Sequence, residues 1–114
     1  MTELTKRLTD YGADMPGAME RFVNDEALYA ECFAIFLQDP CFAALGDALA
    51  RGDRSAAFEA AHTLKGVSGN LGLTPLYEPV CALVELLRRN ERGGLEAAYQ
   101  AVAAAKAALD ALNM

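Results

Sequence analysis

The chain has 114 residues, 54% of them hydrophobic, and a formal net charge of −6. This length suits one domain with a single core, and the hydrophobic content excludes a disordered chain. The negative charge argues against nucleic acid or an anionic membrane as partner, because phosphate groups demand a basic face.

Three helices are predicted in the N-terminal third. A weak helix is predicted at Leu4–Asp10, a break at Tyr11–Pro16, and a short helix at Pro16–Phe22 because proline suits the first helical turn. The next helix, Asn24–Gln38, has Asn24 as its N-cap and two carboxylates in its first turn. Its expected buried residues are apolar and helically spaced: Leu28, Tyr29, Cys32, Phe33, Ile35 and Phe36.

Two helices are predicted in the middle of the chain. The first starts at Asp39-Pro40 and ends at Gly52, with Phe42, Leu45 and Leu49 as its buried residues. Asp53 caps the second, and Gly72 terminates it in a left-handed conformation.

The C-terminal part predicts two more helices. One starts at Thr74-Pro75 and runs to Asn90, and Pro79 predicts a bend or a late start because it lacks a backbone donor. Its buried residues are expected to be Leu76, Val80, Leu83, Val84 and Leu87. Gly93-Gly94 breaks the chain before a last helix from Leu95. Since no segment alternates like a strand, we expect one all-α domain over 1–114, an antiparallel four-helix bundle with additional short N-terminal helices.

His62 is the only histidine of the chain, and it is predicted to face solvent from the fifth helix. At about 100° per residue, the apolar arc of this helix lies opposite His62. That arc contains Ala57, Ala60, Ala61, Leu64, Val67, Ser68 and Leu71. The residues within about 60° of His62 on the same projection include Phe58, Lys65, Gly66 and Gly69.

The residues around His62 suggest a docking surface with a nucleophile at its centre. A large fraction of an ordinary imidazole is unprotonated and nucleophilic near neutral pH, and Lys65 places a cation beside it. Gly66 and Gly69 each disfavour the helix by about 1 kcal/mol relative to alanine, which indicates a need for clearance. Alternatively, the glycines only let another helix pack closely, and Lys65 is an ordinary solvated charge.

Other chemistries find little support. Cys32, Cys41 and Cys81 are odd in number and lack metal-ligand spacing, which favours reduced thiols, with Cys32 and Cys81 in the core. No glycine-rich nucleotide loop or Mg²⁺-binding acidic cluster occurs, so we expect no cofactor, no metal site and no use of ATP. The N-terminus lacks a signal peptide's apolar segment, and no apolar run reaches about 18 residues, which predicts a cytoplasmic protein.

The motif His62-x-x-Lys65-Gly66-x-Ser68-Gly69-Asn70-Leu71-Gly72 closely resembles that of histidine phosphotransfer (HPt) domains of two-component phosphorelays. The segments Ala18–Phe22, Asp25–Leu37 and Leu49–Asp53 are also similar to this family, so the resemblance covers nearly the whole chain. It implies a four-helix bundle in which His62 receives a phosphoryl group from an aspartyl phosphate, or returns it. It further implies that Lys65 lies near the phosphoryl oxygens and that Gly66 leaves room for the partner.

The resemblance also implies the partners, which are response-regulator receiver domains and a (hybrid) sensor histidine kinase. The receiver would supply the metal and most of the catalysis, so the chain is expected to be a carrier rather than an enzyme. Phe58, Gly66 and Gly69 are the expected partner-binding residues.

Two other functions stay open: a helical adaptor that binds a receiver or kinase without accepting phosphate, and an enzyme using His62 as general base beside Glu59. A monomer is the simplest expectation. The initial methionine favours a free-standing shuttle over a piece of a sensor kinase.

Overall fold

The computed structural model describes residues 2–113, and these residues form seven α-helices and no strand. The helices are α1 (Glu3–Tyr11), α2 (Met15–Arg21), α3 (Glu26–Leu37), α4 (Cys41–Arg51), α5 (Arg54–Asn70), α6 (Thr74–Arg88) and α7 (Leu95–Leu112). The predicted all-α class, with short helices preceding a bundle, is confirmed.

The last four helices form the bundle. Each packs against the next, and the connections at 52–53, 71–73 and 89–94 are short, so neighbouring helices run antiparallel. The last helix of the bundle, α7, also packs against its first helix, α4, since a Cβ at Gly46 would lie 2.6 Å from the Tyr99 hydroxyl. In the same interface, Nζ of Lys106 lies 4.7 Å from the centre of the Phe42 ring. These contacts close the bundle around the core.

Both ends of α5 form as the sequence predicts. The Asp53 carboxylate accepts a hydrogen bond of 3.1 Å from the Ala56 amide and so caps the first turn. After the last turn, Gly72 adopts a left-handed φ of 72°. A Cβ at Gly72 would lie 2.5 Å from the Asp14 carbonyl oxygen, so no other residue fits this close approach.

The N-terminal helices dock onto the C-terminal end of α5. The Tyr29 hydroxyl of α3 donates a 2.6 Å hydrogen bond to the Leu71 carbonyl oxygen. The Asp14 amide, just before α2, donates to the Gly72 carbonyl oxygen at 2.8 Å. The helix that carries the histidine therefore has its C-terminal end fixed by parts of the chain far away in sequence.

The start and the buried face of α3 differ from the prediction. Asp25, not Asn24, is the N-cap, and its carboxylate accepts from the Leu28 amide at 3.0 Å. Leu28 and Ile35 were expected in the core, but they are 44% and 72% exposed. The buried residues of α3 are Tyr29, Phe33, Phe36 and Leu37. Since nearly every residue of this helix is apolar, its sequence carries no polar face that would fix its orientation.

Of the two effects expected of Pro79, a bend or a late start of α6, the late start does not occur. The helix begins at Thr74 and continues through Pro79 to Arg88, and its five predicted core residues are all buried. Cys32 and Cys81, both expected in the core, are free thiols that are only half-buried, and Cys32 packs against the core from its edge.

One apolar stretch, Glu26–Arg51, has the length and the mean hydropathy, 1.3, of a membrane span. The chain interrupts it at residues 38–40, leaving helices of 12 and 11 residues. A helix needs about 20 residues to cross a bilayer, so neither helix is long enough. Each instead contributes buried side chains to the core.

Candidate functional site

His62 lies on the solvent-exposed face of α5, as predicted. The opposite face is apolar, and six of its seven predicted residues are buried, whereas Val67 is half-buried. The alanines and Leu64 of that face pack into the bundle and fix the rotation of the helix. This rotation directs the imidazole away from the core.

The Phe58 ring stacks on the imidazole of His62. The two ring centroids are 5.7 Å apart, and the ring planes are within 10° of parallel. Helical side chains lean toward the N-terminus, so residue 62 naturally covers residue 58 one turn earlier. Phe58 is half-buried and packs against the core, so the ring under the imidazole is itself anchored.

The other side of His62 is open. Gly66 follows one turn later and is exposed, and a Cβ built there would meet no atom within 4 Å. Lys65 is half-buried and lies one helical turn after His62 on the same side of the helix. A visiting group can therefore approach the imidazole over bare helix backbone, with a cation beside it.

A shallow recess of about 240 Å³ lies next to the imidazole, and we call it the His62 recess. Its lining residues come from α5 and α6: His62, Lys65, Gly66, Gly69, Asn70 and Tyr77. It brings together the histidine, the lysine and both glycines predicted from the sequence. Phe58 does not line it and lies instead behind the imidazole.

Gly69 and Gly66 have different surroundings. A Cβ at Gly69 would lie 2.9 Å from Cε1 of Tyr77, so the space at position 69 is filled by a side chain of α6. For Gly69 the geometry favours the alternative interpretation, close helix packing. For Gly66 it favours clearance for a partner.

A second cleft, about 390 Å³ in volume, adjoins the His62 recess through Gly69, Asn70 and Tyr77. Arg21 of α2 also lines this cleft. The Arg21 guanidinium donates from Nε to the Asn70 carbonyl oxygen at 2.9 Å and from Nη2 to the Gly69 carbonyl oxygen at 3.0 Å. A cation at these terminal carbonyls also matches the negative end of the helix dipole. The surface beside the imidazole thus extends from α5 and α6 to α2.

Sequence reasoning assigned no role to Arg21, Asn70 or Tyr77. Asn70 lies inside the quoted motif, and that position could have identified it. Tyr77 follows Leu76 of the α6 buried face, but nothing in the pattern predicts that its ring covers Gly69. Arg21 is separated from Asn70 by 49 residues, so only the folded structure shows their contact.

The Tyr77 hydroxyl, which lines the recess, and the Cys41 thiol both stay neutral at ordinary pH. A hydrogen bond with the Cys81 side chain, together with its charge, raises the pKa of Tyr77. Burial, assisted by Asp39, raises the pKa of the Cys41 thiol. Neither of these groups is activated as a nucleophile. Among residues 2–113, no group of three or more His, Cys, Asp and Glu side chains is placed to hold a metal ion.

A comparison with protein families identifies one match. A family model described as "Hpt domain" matches residues 34–114, which include the end of α3, the whole bundle and His62. Residues 1–33 lie outside the match, so it covers most of the chain but not the first two helices. No curated protein and no solved structure matches the chain.

Proposed function

Because this chain belongs to the Hpt domain family, we propose that it relays phosphoryl groups between receiver-domain aspartates through His62. Hpt domains are phosphocarriers of two-component signalling, which sets the class of reaction. The choice of His62 is supported by its place as the only histidine and by its exposure on α5. The observation that carries the proposal is the contrast between the open surface at Gly66 and the buried face opposite.

The transfer step follows from the chemistry of the two groups. The lone pair of an unprotonated imidazole nitrogen attacks phosphorus of the receiver's aspartyl phosphate and forms an N–P bond. The P–O bond to the aspartate breaks, and its electron pair leaves on the carboxylate. The reverse step returns the phosphoryl group to an aspartate. Such a reaction depends mainly on in-line positioning and on stabilisation of charge.

Within this chain, Lys65 is the group suited to charge stabilisation. It lines the same recess as His62 one helical turn away, so its ammonium group can offset the negative charge of a phosphorylated imidazole. The partner receiver and its bound metal would supply the remaining catalysis. We therefore propose a carrier without an ATP site of its own.

The partners that we propose are response-regulator receiver domains and a sensor histidine kinase. We further propose that the chain works in the cytoplasm as a monomer. A relay must release its partner, which favours a small contact surface of weak to moderate affinity. The open helix face around Gly66 is the proposed centre of that surface.

The test is incubation of the chain with phosphorylated receiver domains from the same organism. The expected result is acid-labile phosphate on the wild-type chain and none on His62→Gln, with equal helical content by circular dichroism. Full uptake by His62→Gln would contradict the site. Tight binding of a phosphorylated cognate receiver without any labelling of the wild type would identify a helical adaptor instead.

A further inference from the structure

The two flanks of His62 along α5 are unlike each other. Phe58, four residues earlier, covers one face of the imidazole with a parallel ring at 5.7 Å. Gly66, four residues later, leaves the other flank open, because a Cβ built at this position would meet no atom within 4 Å. The imidazole is therefore supported from one side only.

Among the described residues, no polar contact orients this imidazole. Within residues 2–113, no hydrogen bond involves the His62 side chain, which is exposed. Without support, an exposed imidazole would populate more than one staggered rotamer about its first side-chain torsion and a broad range of angles about its second. An offset parallel stack at this distance is enough to favour one ring orientation several-fold.

We propose that Phe58 is a positioning residue that holds the imidazole plane for phosphoryl transfer. This inference rests on the proposed function of His62 and assigns Phe58 a role different from partner binding. Attack on phosphorus occurs along the nitrogen lone pair, in the plane of the imidazole. A ring stacked on the imidazole face therefore restrains the orientation without obstructing the reacting nitrogen.

The surroundings of Phe58 favour this role over direct contact with a partner. One of its faces carries the imidazole, and its half-buried side chain packs against the core. It also lies outside the recess that contains His62, Lys65 and Gly66. Phe58 therefore acts through the imidazole.

The stack has a spectroscopic signature that is independent of activity. Because His62 is the only histidine, the two carbon-bound imidazole protons are unambiguous in NMR spectra. The Phe58 ring current should shift them upfield in the wild type and in Phe58→Tyr, and the shift should vanish in Phe58→Leu. Leucine keeps apolar bulk at this half-buried position, so circular dichroism should show an unchanged fold.

The kinetic test uses the same variants with phosphoramidate and with a phosphorylated receiver domain. We expect Phe58→Leu to slow phosphorylation of His62 by about tenfold with both donors, because orientation is lost in each case. Phe58→Tyr should stay close to the wild-type rate. A slow reaction with the receiver alone would indicate a partner contact and overturn the positioning role.

The outcomes separate this inference from the proposed function. If the wild type takes up phosphate and Phe58→Leu is equally fast, Phe58 positions nothing, although His62 remains the carrier. If the wild type accepts phosphate from neither donor, the proposed function fails. In that case the NMR shift still decides whether the stack exists in solution, and its absence would remove the basis of the inference.

Discussion

Tyr77 lies against Gly69 where α6 crosses the end of the histidine helix, and a Cβ at position 69 would stand 2.9 Å from Cε1 of its ring. One turn earlier, a Cβ at Gly66 would meet nothing within 4 Å. The two glycines of one motif therefore have different physical roles. Gly69 admits a side chain of the same molecule, and Gly66 keeps the surface beside His62 free.

This difference predicts opposite responses to alanine. Gly66→Ala should raise the free energy of unfolding by about 1 kcal/mol, because alanine favours the helix and the site is open. Gly69→Ala should raise the free energy of unfolding clearly less, or lower it, because the Tyr77 ring must move. Urea unfolding of both variants measures the two changes.

A Tyr77→Ala background supplies the control for this pair. Without the ring, Gly69→Ala should raise the free energy of unfolding about as much as Gly66→Ala does. The double-mutant cycle then gives the coupling energy between positions 69 and 77. Equal gains at both glycines in the wild-type background would contradict the packing role of Gly69.

The proposed partner surface makes a separate prediction for a bulky residue at position 66. Gly66→Leu should slow transfer from a phosphorylated receiver domain by more than about tenfold, because the side chain fills the approach to His62. Phosphorylation by phosphoramidate, a much smaller donor, should change little.

The matched control is Gly93→Leu, since Gly93 is also exposed and a Cβ there meets nothing within 4 Å. It lies in the α6–α7 connection, away from the recess, and should leave both reactions unchanged. If the receiver domain phosphorylates Gly66→Leu at the wild-type rate, position 66 is not part of the docking surface.

Sequence patterns predicted the helices well where polar and apolar residues alternate with helical spacing. In α6, all five predicted core residues are buried, and the two ends of α5 follow from Asp53 and Gly72. The pattern failed in α3, where Ile35 was assigned to the core but is 72% exposed. A helix that is apolar on every side carries no information about which face is buried, so packing alone decides it.

The same distinction applies to the site. The outward direction of His62 follows from the periodicity of one helix and could be predicted. The filling of the space at Gly69 depends on Tyr77 of another helix, and the contact of Arg21 with Asn70 spans 49 residues. Such contacts arise from tertiary packing, which no local spacing encodes.

Arg21 is predicted to stabilise the docking of α2 on the end of α5. Arg21→Ala removes two hydrogen bonds to the carbonyl oxygens of Gly69 and Asn70 and should cost about 1 kcal/mol in urea unfolding. Arg51→Ala is the control, because Arg51 only pairs with neighbouring surface carboxylates and should show a smaller loss. Equal losses would mean that the two hydrogen bonds at the end of α5 contribute nothing specific.

Ionisation of Tyr29 is expected to lower the stability of the fold at alkaline pH. Burial raises the pKa of Tyr29 above its ordinary value, an effect that the charge of Arg21 opposes only in part. The folded state therefore holds the phenolic proton more tightly than the unfolded state. The resulting stability is fully present below about pH 10 and is lost as the pH rises from there through the raised pKa.

Tyr29→Phe should change both the level and the pH profile of stability. Near neutral pH it loses the 2.6 Å hydrogen bond to the Leu71 carbonyl oxygen, which should cost about 1 kcal/mol. Above about pH 10 the variant should lose stability less steeply than the wild type, because one coupled ionisation is gone. Burial also raises the pKa of Tyr11 to about 12, so some slope should remain in both proteins. Urea unfolding across the alkaline range measures this, and parallel profiles would show that Tyr29 ionises equally in the folded and unfolded chains.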